Sequence, residues 1–295
     1  MKLAAKLDSE RVLPILIFVI SGLVFLPVLD WLTRQTFAHE QLLNAFIVLV
    51  ITVGLLVYEK HISLKPVFRF TDTVQLLLVV SYALLVLAIF TRLNLIILAS
   101  LSLCLASLLL YLFGHEQKRL VWSSLVAFTL FAGIAVIMPL LDWPLRTLAG
   151  KWAAAGLQML GQQVELGIYS AQEGPKLMLL NNGQPFHVAP ECNGFGMVSS
   201  CLLMATIIVF FRRLSWFDRL LWLIVALVLG LFFNSLRIVV IILLAPHLPD
   251  SAYLTMHETV GIITTYGGLA ALYFLLMPRL SKPDPVSAAG VPPAG

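Results

Sequence analysis

The chain has 295 residues, 60% of them hydrophobic and only 12% charged, with a formal charge of +4 and a mean hydropathy of +0.97. That balance excludes a soluble enzyme core and a nucleic-acid-binding protein. The three cysteines, Cys104, Cys192 and Cys201, exclude a disulfide framework, because two of them sit well inside apolar runs. The apolar runs are roughly 17 to 25 residues long, enough to cross a hydrocarbon core of about 30 Å as helices rising about 1.5 Å per residue.

Taken in order, the first run follows Lys2, Lys6 and Arg11 and extends from Val12 to Leu29. It lacks a small-residue cleavage pattern, so it reads as a retained span, bent by Pro14 and Pro27. Further spans are predicted at 42–58, 74–90, 93–113 and 120–141. Segment 142–191 opens with a helical pattern near Leu145 to Leu160. Short strands at Val164 to Tyr169 and Lys176 to Val188 follow, with Asn182-Gly183 as a hairpin turn in which both residues tolerate positive φ. The last spans are predicted at 197–211, 220–244 and 257–277, and the Pro-, Ala- and Gly-rich tail from Ser281 reads as disordered. The expected fold is therefore an all-α polytopic membrane protein of about eight transmembrane helices, with a small helix and β-hairpin cap before the sixth. Its expected parts are residues 1–141 (helices one to five), 142–191 (cap), 192–280 (helices six to eight) and 281–295 (tail).

Charge sets the orientation. With the N-terminus inside, thirteen of the nineteen basic residues fall in cytoplasmic segments, Lys60, Arg119 and Arg212 among them. Five lie outside: Arg34, Arg92, Arg146, Lys151 and Lys176. This obeys the positive-inside rule for an even number of spans, with both termini cytoplasmic. Trp31 and Trp143 then mark the outer interface, and Trp216 and Trp222 the inner one.

The remaining basic residue, Arg237, lies inside the seventh span, and two other reactive side chains fall at the same predicted depth. Cys192 precedes the sixth span in Pro190-Glu191-Cys192-Asn193-Gly194-Phe195-Gly196, where a helix N-terminus favours thiolate and offers backbone N–H groups to a developing oxyanion. Arg237 follows Arg219 by 18 residues, about 27 Å of helix, and shares a face with Gly230 and Asn234. An arginine within a span normally faces protein or a water-filled cavity; the alternative is snorkelling to the headgroups. His257 opens the eighth span before Glu258, on a face with Gly261, Thr264 and Gly268 that permits close helix packing. Taken alone, each has a structural explanation. Together they form a set in which Cys and His supply a nucleophile and its acid/base, and a guanidinium steadies thiolate or oxyanion. No His or Cys pair has metal-ligand spacing, and His257-Glu258 lacks the second His of a zincin motif, so neither metal nor cofactor is expected.

In Glu191-Cys192-Asn193-Gly194-Phe195, Asn234-Ser235-Leu236-Arg237-Ile238 and His257-Glu258-Thr259-Val260-Gly261, the chain resembles the exosortase/archaeosortase family of integral-membrane cysteine transpeptidases. The likeness is most specific over 145–277; where the family often has Cys-Ser-Gly, this chain has Cys192-Asn193-Gly194. The resemblance implies a catalytic set of Cys192, Arg237 and His257, supported by Asn193, Gly194, Asn234 and Glu258. It implies as partners exported proteins carrying a C-terminal sorting signal of the PEP-CTERM kind: a short motif, a hydrophobic helix and a basic cluster. It further implies a lipid or other amine acceptor, a site on the outer face of the cytoplasmic membrane, and an association with exopolysaccharide biosynthesis. The rival readings are a transporter using Arg237 as a binding charge, which inverted repeats would favour and none are found, and a scaffold indifferent to loss of Cys192.

Overall fold

Within hydrocarbon each backbone polar group must be paired inside its own segment, so the apolar runs become helices. In the computed structural model residues 2–171, 174–188, 192–212 and 214–276 are described, and the chain divides into two units, Met1–Arg146 and Thr147–Gly295. The tail from Ser281 lies outside the described residues, as do Pro190 and Glu191.

The first unit holds α1 (Lys2–Ala38), α2 (Glu40–Glu59), α3 (Asp72–Thr91), α4 (Asn94–Phe113) and the start of α5 (Lys118–Met159). One extended residue, His39, separates α1 from α2, and Arg92 in the left-handed region followed by extended Leu93 turns α3 into α4. Lipid tails are as apolar as leucine, so helix association relies on close packing and interhelical hydrogen bonds. Serines supply them: Ser81 Oγ donates to Ser100 O at 2.8 Å, Ser100 Oγ donates back to Ser81 O at 2.7 Å, and Ser107 Oγ donates to Val74 O at 2.8 Å. Ser100 and Ser107 are seven residues apart, two turns along one face of α4.

Continuity of α5 corrects one expectation. The helical pattern near Leu145 to Leu160 is no separate element; it is the second half of a 42-residue helix that runs through Pro139 and Pro144. No glycine or asparagine stands between Pro139 and Arg146 to take the left-handed C-cap conformation, and Asp142 and Arg146 pair one turn apart across the proposed break.

The second unit begins with the end of α5 and continues through β1 (Val164–Ala171), β2 (Gly174–Asn181), β3 (Gln184–His187), α6 (Phe195–Phe211), α7 (Trp216–Leu244) and α8 (Asp250–Leu276). The strands form one antiparallel meander, β1-β2-β3, with Leu166 opposite Leu179 and Leu179 opposite Phe186. Asn182 and Gly183, at φ 50° and 81°, make the predicted turn. The sheet rests on α5, where a Cβ at Gly150 would stand 3.2 Å from Leu177 Cδ2 and 3.3 Å from Leu166 Cδ1.

Helices α6, α7 and α8 pack against one another. Ser215 caps α7 by accepting from Asp218 N at 3.1 Å. Glycines set the close approaches: a Cβ at Gly230 would lie 2.8 Å from Val198 Cα of α6, and one at Gly268 of α8 would lie 3.0 Å from Phe233 Cγ of α7. Arg212, just past α6, donates to Leu276 O at the end of α8 at 3.1 Å. Among the described residues, seven helices are long and apolar enough to cross a membrane. They coincide with seven of the eight predicted spans; the eighth, α6, is apolar but only 17 residues, about 26 Å. The architecture is all-α and polytopic, with a small three-stranded sheet.

Candidate active site

The turn before α6 places Cys192. Asn193 Oδ1 accepts from Phe195 N at 2.8 Å, an Asx turn that leads into the helix, and Gly194 stands at its N-cap with φ +82°. Cys192, Asn193 and Gly194 are all buried. From this turn the thiol reaches α8: Cys192 Sγ lies 3.5 Å from His257 Nε2, across 65 residues of sequence. This is within hydrogen-bonding reach for sulfur.

Because α6 and α8 meet at Arg212 and Leu276 at one end, and Cys192 just before α6 meets His257 two turns into α8 at the other, the two helices run parallel. Helix α7 returns between those ends, so its C-terminal half faces the same place. Asn234 Nδ2 donates to Cys192 O at 3.0 Å, and Asn234 is only 2% exposed. One turn on, the Arg237 guanidinium lies against Gly261 of α8: a Cβ there would be 3.0 Å from Cζ and Nη2 and 3.2 Å from Nε. Arg237 Nε is buried and has no hydrogen-bond partner among the described residues. Gly261 is one turn beyond His257, and Asn234 one turn before Arg237. The thiol, the imidazole, the amide and the guanidinium therefore converge on one end of the three-helix bundle.

The predicted residues divide accordingly. Cys192, Asn193, Gly194, Asn234, Arg237 and His257 come together; Glu258 is exposed, turned about 100° from His257 on the helix surface. His257 does not open α8, as expected, but lies two turns inside it, because the helix starts at Asp250 just after Pro249. Of the other two cysteines, Cys201 is fully buried in α6 and Cys104 is buried in α4 of the first unit. Gly261, expected only as a close-packing position, is the surface on which Arg237 rests. One residue escaped the sequence reading: Tyr253, one turn before His257, has its ring centroid 6.3 Å from the imidazole. The i, i+4 spacing of both to His257 is the signal that marks them.

Fold and site thus define a multi-pass helical membrane protein in which a thiol, an imidazole and a guanidinium from three helices share one end of a bundle. The chain belongs to the transmembrane exosortase family (Exosortase_EpsH), whose sequence model matches residues 13–275, nearly the whole chain. Neither a curated protein nor a solved structure matches it.

Proposed function

We propose that this exosortase is a cysteine transpeptidase that cleaves the C-terminal sorting signals of exported proteins through a thioester, with Cys192 as nucleophile. The observation that carries the reading is the 3.5 Å approach of Cys192 Sγ to His257 Nε2 from a different helix. His257 takes the thiol proton, and the thiolate attacks the scissile carbonyl carbon to give a tetrahedral oxyanion that the Arg237 guanidinium steadies. As the C–N bond breaks, His257 returns the proton to the leaving amine. An acceptor amine, on a lipid or surface polymer, then attacks the thioester, gives its proton to His257 and frees the thiol.

The sorting signal's hydrophobic helix docks beside α6 to α8, with its basic cluster on the cytoplasmic side of the inner membrane. The scissile bond is then held at the outer face, with both termini of the enzyme in the cytoplasm. Basic residues support this orientation, since thirteen fall on the segments placed inside and five on those outside.

The test is processing of exported proteins bearing such tails in cells that carry the wild-type chain, Cys192→Ala or Cys201→Ala, read by intact mass. Loss of cleavage in the Cys192 variant alone, with a thioester adduct trapped in the wild type, is the expected result. Unchanged processing by Cys192→Ala returns Arg237 and His257 to a transport or scaffold role.

A further inference from the structure

The Asn234 side chain makes two contacts with the turn that carries the thiol. Its amide nitrogen donates to the Cys192 carbonyl at 3.0 Å, and its amide group fills the space in which a side chain at residue 194 would stand: a Cβ on Gly194 would lie 2.8 Å from Asn234 Nδ2 and 3.0 Å from Cγ. A carbonyl can only accept, so the amide must present its NH2 and not its oxygen. Glycine is needed at 194 for two independent reasons, a left-handed φ of +82° and this close approach. From the other side, Asn193 Oδ1 takes Phe195 N at 2.8 Å, and Val198 N closes the first helical turn on Gly194 O at 2.9 Å. The peptide that follows Cys192 is therefore fixed by α7 through its carbonyl, while its side chain faces α8 through the thiol.

We infer that Asn234 is a positioning residue: it clamps the backbone of Cys192 to α7 so that Sγ is delivered to His257 Nε2. The clamp acts through the thiol's alignment and touches neither substrate nor the reacting atoms. Side-chain volume alone does not account for it, since a carboxylate of the same shape in place of the amide would set oxygen against oxygen at the Cys192 carbonyl. The inference rests on Cys192 being the nucleophile, but it makes a claim about the thiol that holds whatever the substrate.

The experiment is the rate of Cys192 alkylation by iodoacetamide in the full-length, detergent-solubilised protein, resolved by peptide mass from Cys104 and Cys201. It compares wild type, Asn234→Asp, His257→Ala and the double variant. Losing one hydrogen bond of this kind is expected to slow alkylation about tenfold in Asn234→Asp. In the His257→Ala background, where there is no imidazole left to align with, Asn234→Asp is expected to change the rate by less than about twofold. On a processed peptide the same variant is expected to lower kcat with KM held within about twofold.

An unchanged rate in folded Asn234→Asp overturns the inference, and so does an equal slowing in both backgrounds, which is the behaviour of a merely structural asparagine. If Asn234→Asp does not fold, Asn234→Ser is used in its place, keeping a hydroxyl donor on a shorter side chain. It is then expected to slow alkylation by a smaller factor in the wild-type background and by none in His257→Ala, and any other pattern overturns the clamp. Alkylation that follows this pattern while no sorting peptide is cleaved leaves the clamp standing and removes the transpeptidase reading.

Discussion

Replacing Gly261 by alanine separates the site's chemistry from its stability. The new methyl carbon would sit 3.0 Å from Cζ and Nη2 of Arg237. Non-bonded carbons prefer about 3.5 to 4.0 Å, so the guanidinium must retreat by roughly 0.5 to 1 Å. It is the far end of a flexible side chain, and the retreat strains little else. Alanine within a helix is favoured over glycine by up to about 1 kcal/mol, which offsets the crowding. The folded state should therefore change by less than about 1 kcal/mol, a shift of a few degrees in unfolding midpoint. A reacting group misplaced by about 1 Å can lose on the order of 100-fold in rate. The expected outcome is a kcat lowered about 10- to 100-fold at near wild-type thermal stability. It is measured by mass spectrometry of a tailed peptide substrate with the enzyme in nanodiscs, alongside a melting curve. A folded Gly261→Ala enzyme at full kcat would refute the argument that the position of the Arg237 guanidinium matters.

The opposite split is expected at Gly230, where the added carbon meets backbone, 2.8 Å from Val198 Cα. Neither helix can yield locally, so Gly230→Ala should destabilise the protein by about 1 to 3 kcal/mol in a detergent unfolding titration, and wild-type stability would show that α6 and α7 are not packed this closely. In the first unit, Ser100→Ala removes one of two reciprocal bonds between α3 and α4. A cost of about 0.6 to 2 kcal/mol is expected, with Cys192 alkylation unchanged; altered alkylation would contradict this. At the hairpin, Gly183→Val places a β-branched residue at φ 81° and should raise protease susceptibility near the turn in limited proteolysis, whereas wild-type resistance would argue against that turn geometry.

The spans were legible because a hydrocarbon solvent leaves the backbone few options, and composition alone reveals where it applies. The hairpin was legible for a local reason, since Asn182-Gly183 encodes its own turn. The join between the span predicted at 120–141 and the helical pattern near Leu145 to Leu160 was not legible: they are one helix running through Pro139 and Pro144, since a helix within an apolar run can continue through a proline when neighbouring groups satisfy what it frees. The meeting of Cys192, Arg237 and His257 at one level could be anticipated from the rise per residue along antiparallel helices. The partners within that level could not. Whether Asn234 faces Cys192, or Arg237 faces Gly261, depends on the rotation of each helix about its axis, and α6 is so uniformly apolar that its sequence contains no preferred face. Glu258 illustrates the converse: adjacency to His257 in sequence puts it on a different side of the helix.

The 65 residues between Cys192 and His257 also impose an order of events on synthesis. A chain emerging from the ribosome exposes its thiol well before the imidazole exists, and α7 must enter the membrane before α8 can follow. Until that last helix docks, Cys192 lacks the imidazole that stands 3.5 Å from its Sγ in the folded protein. On the mechanism proposed above, truncated or half-inserted copies are therefore expected to be inactive, because the thiol and the imidazole come together only once the last helix is in place.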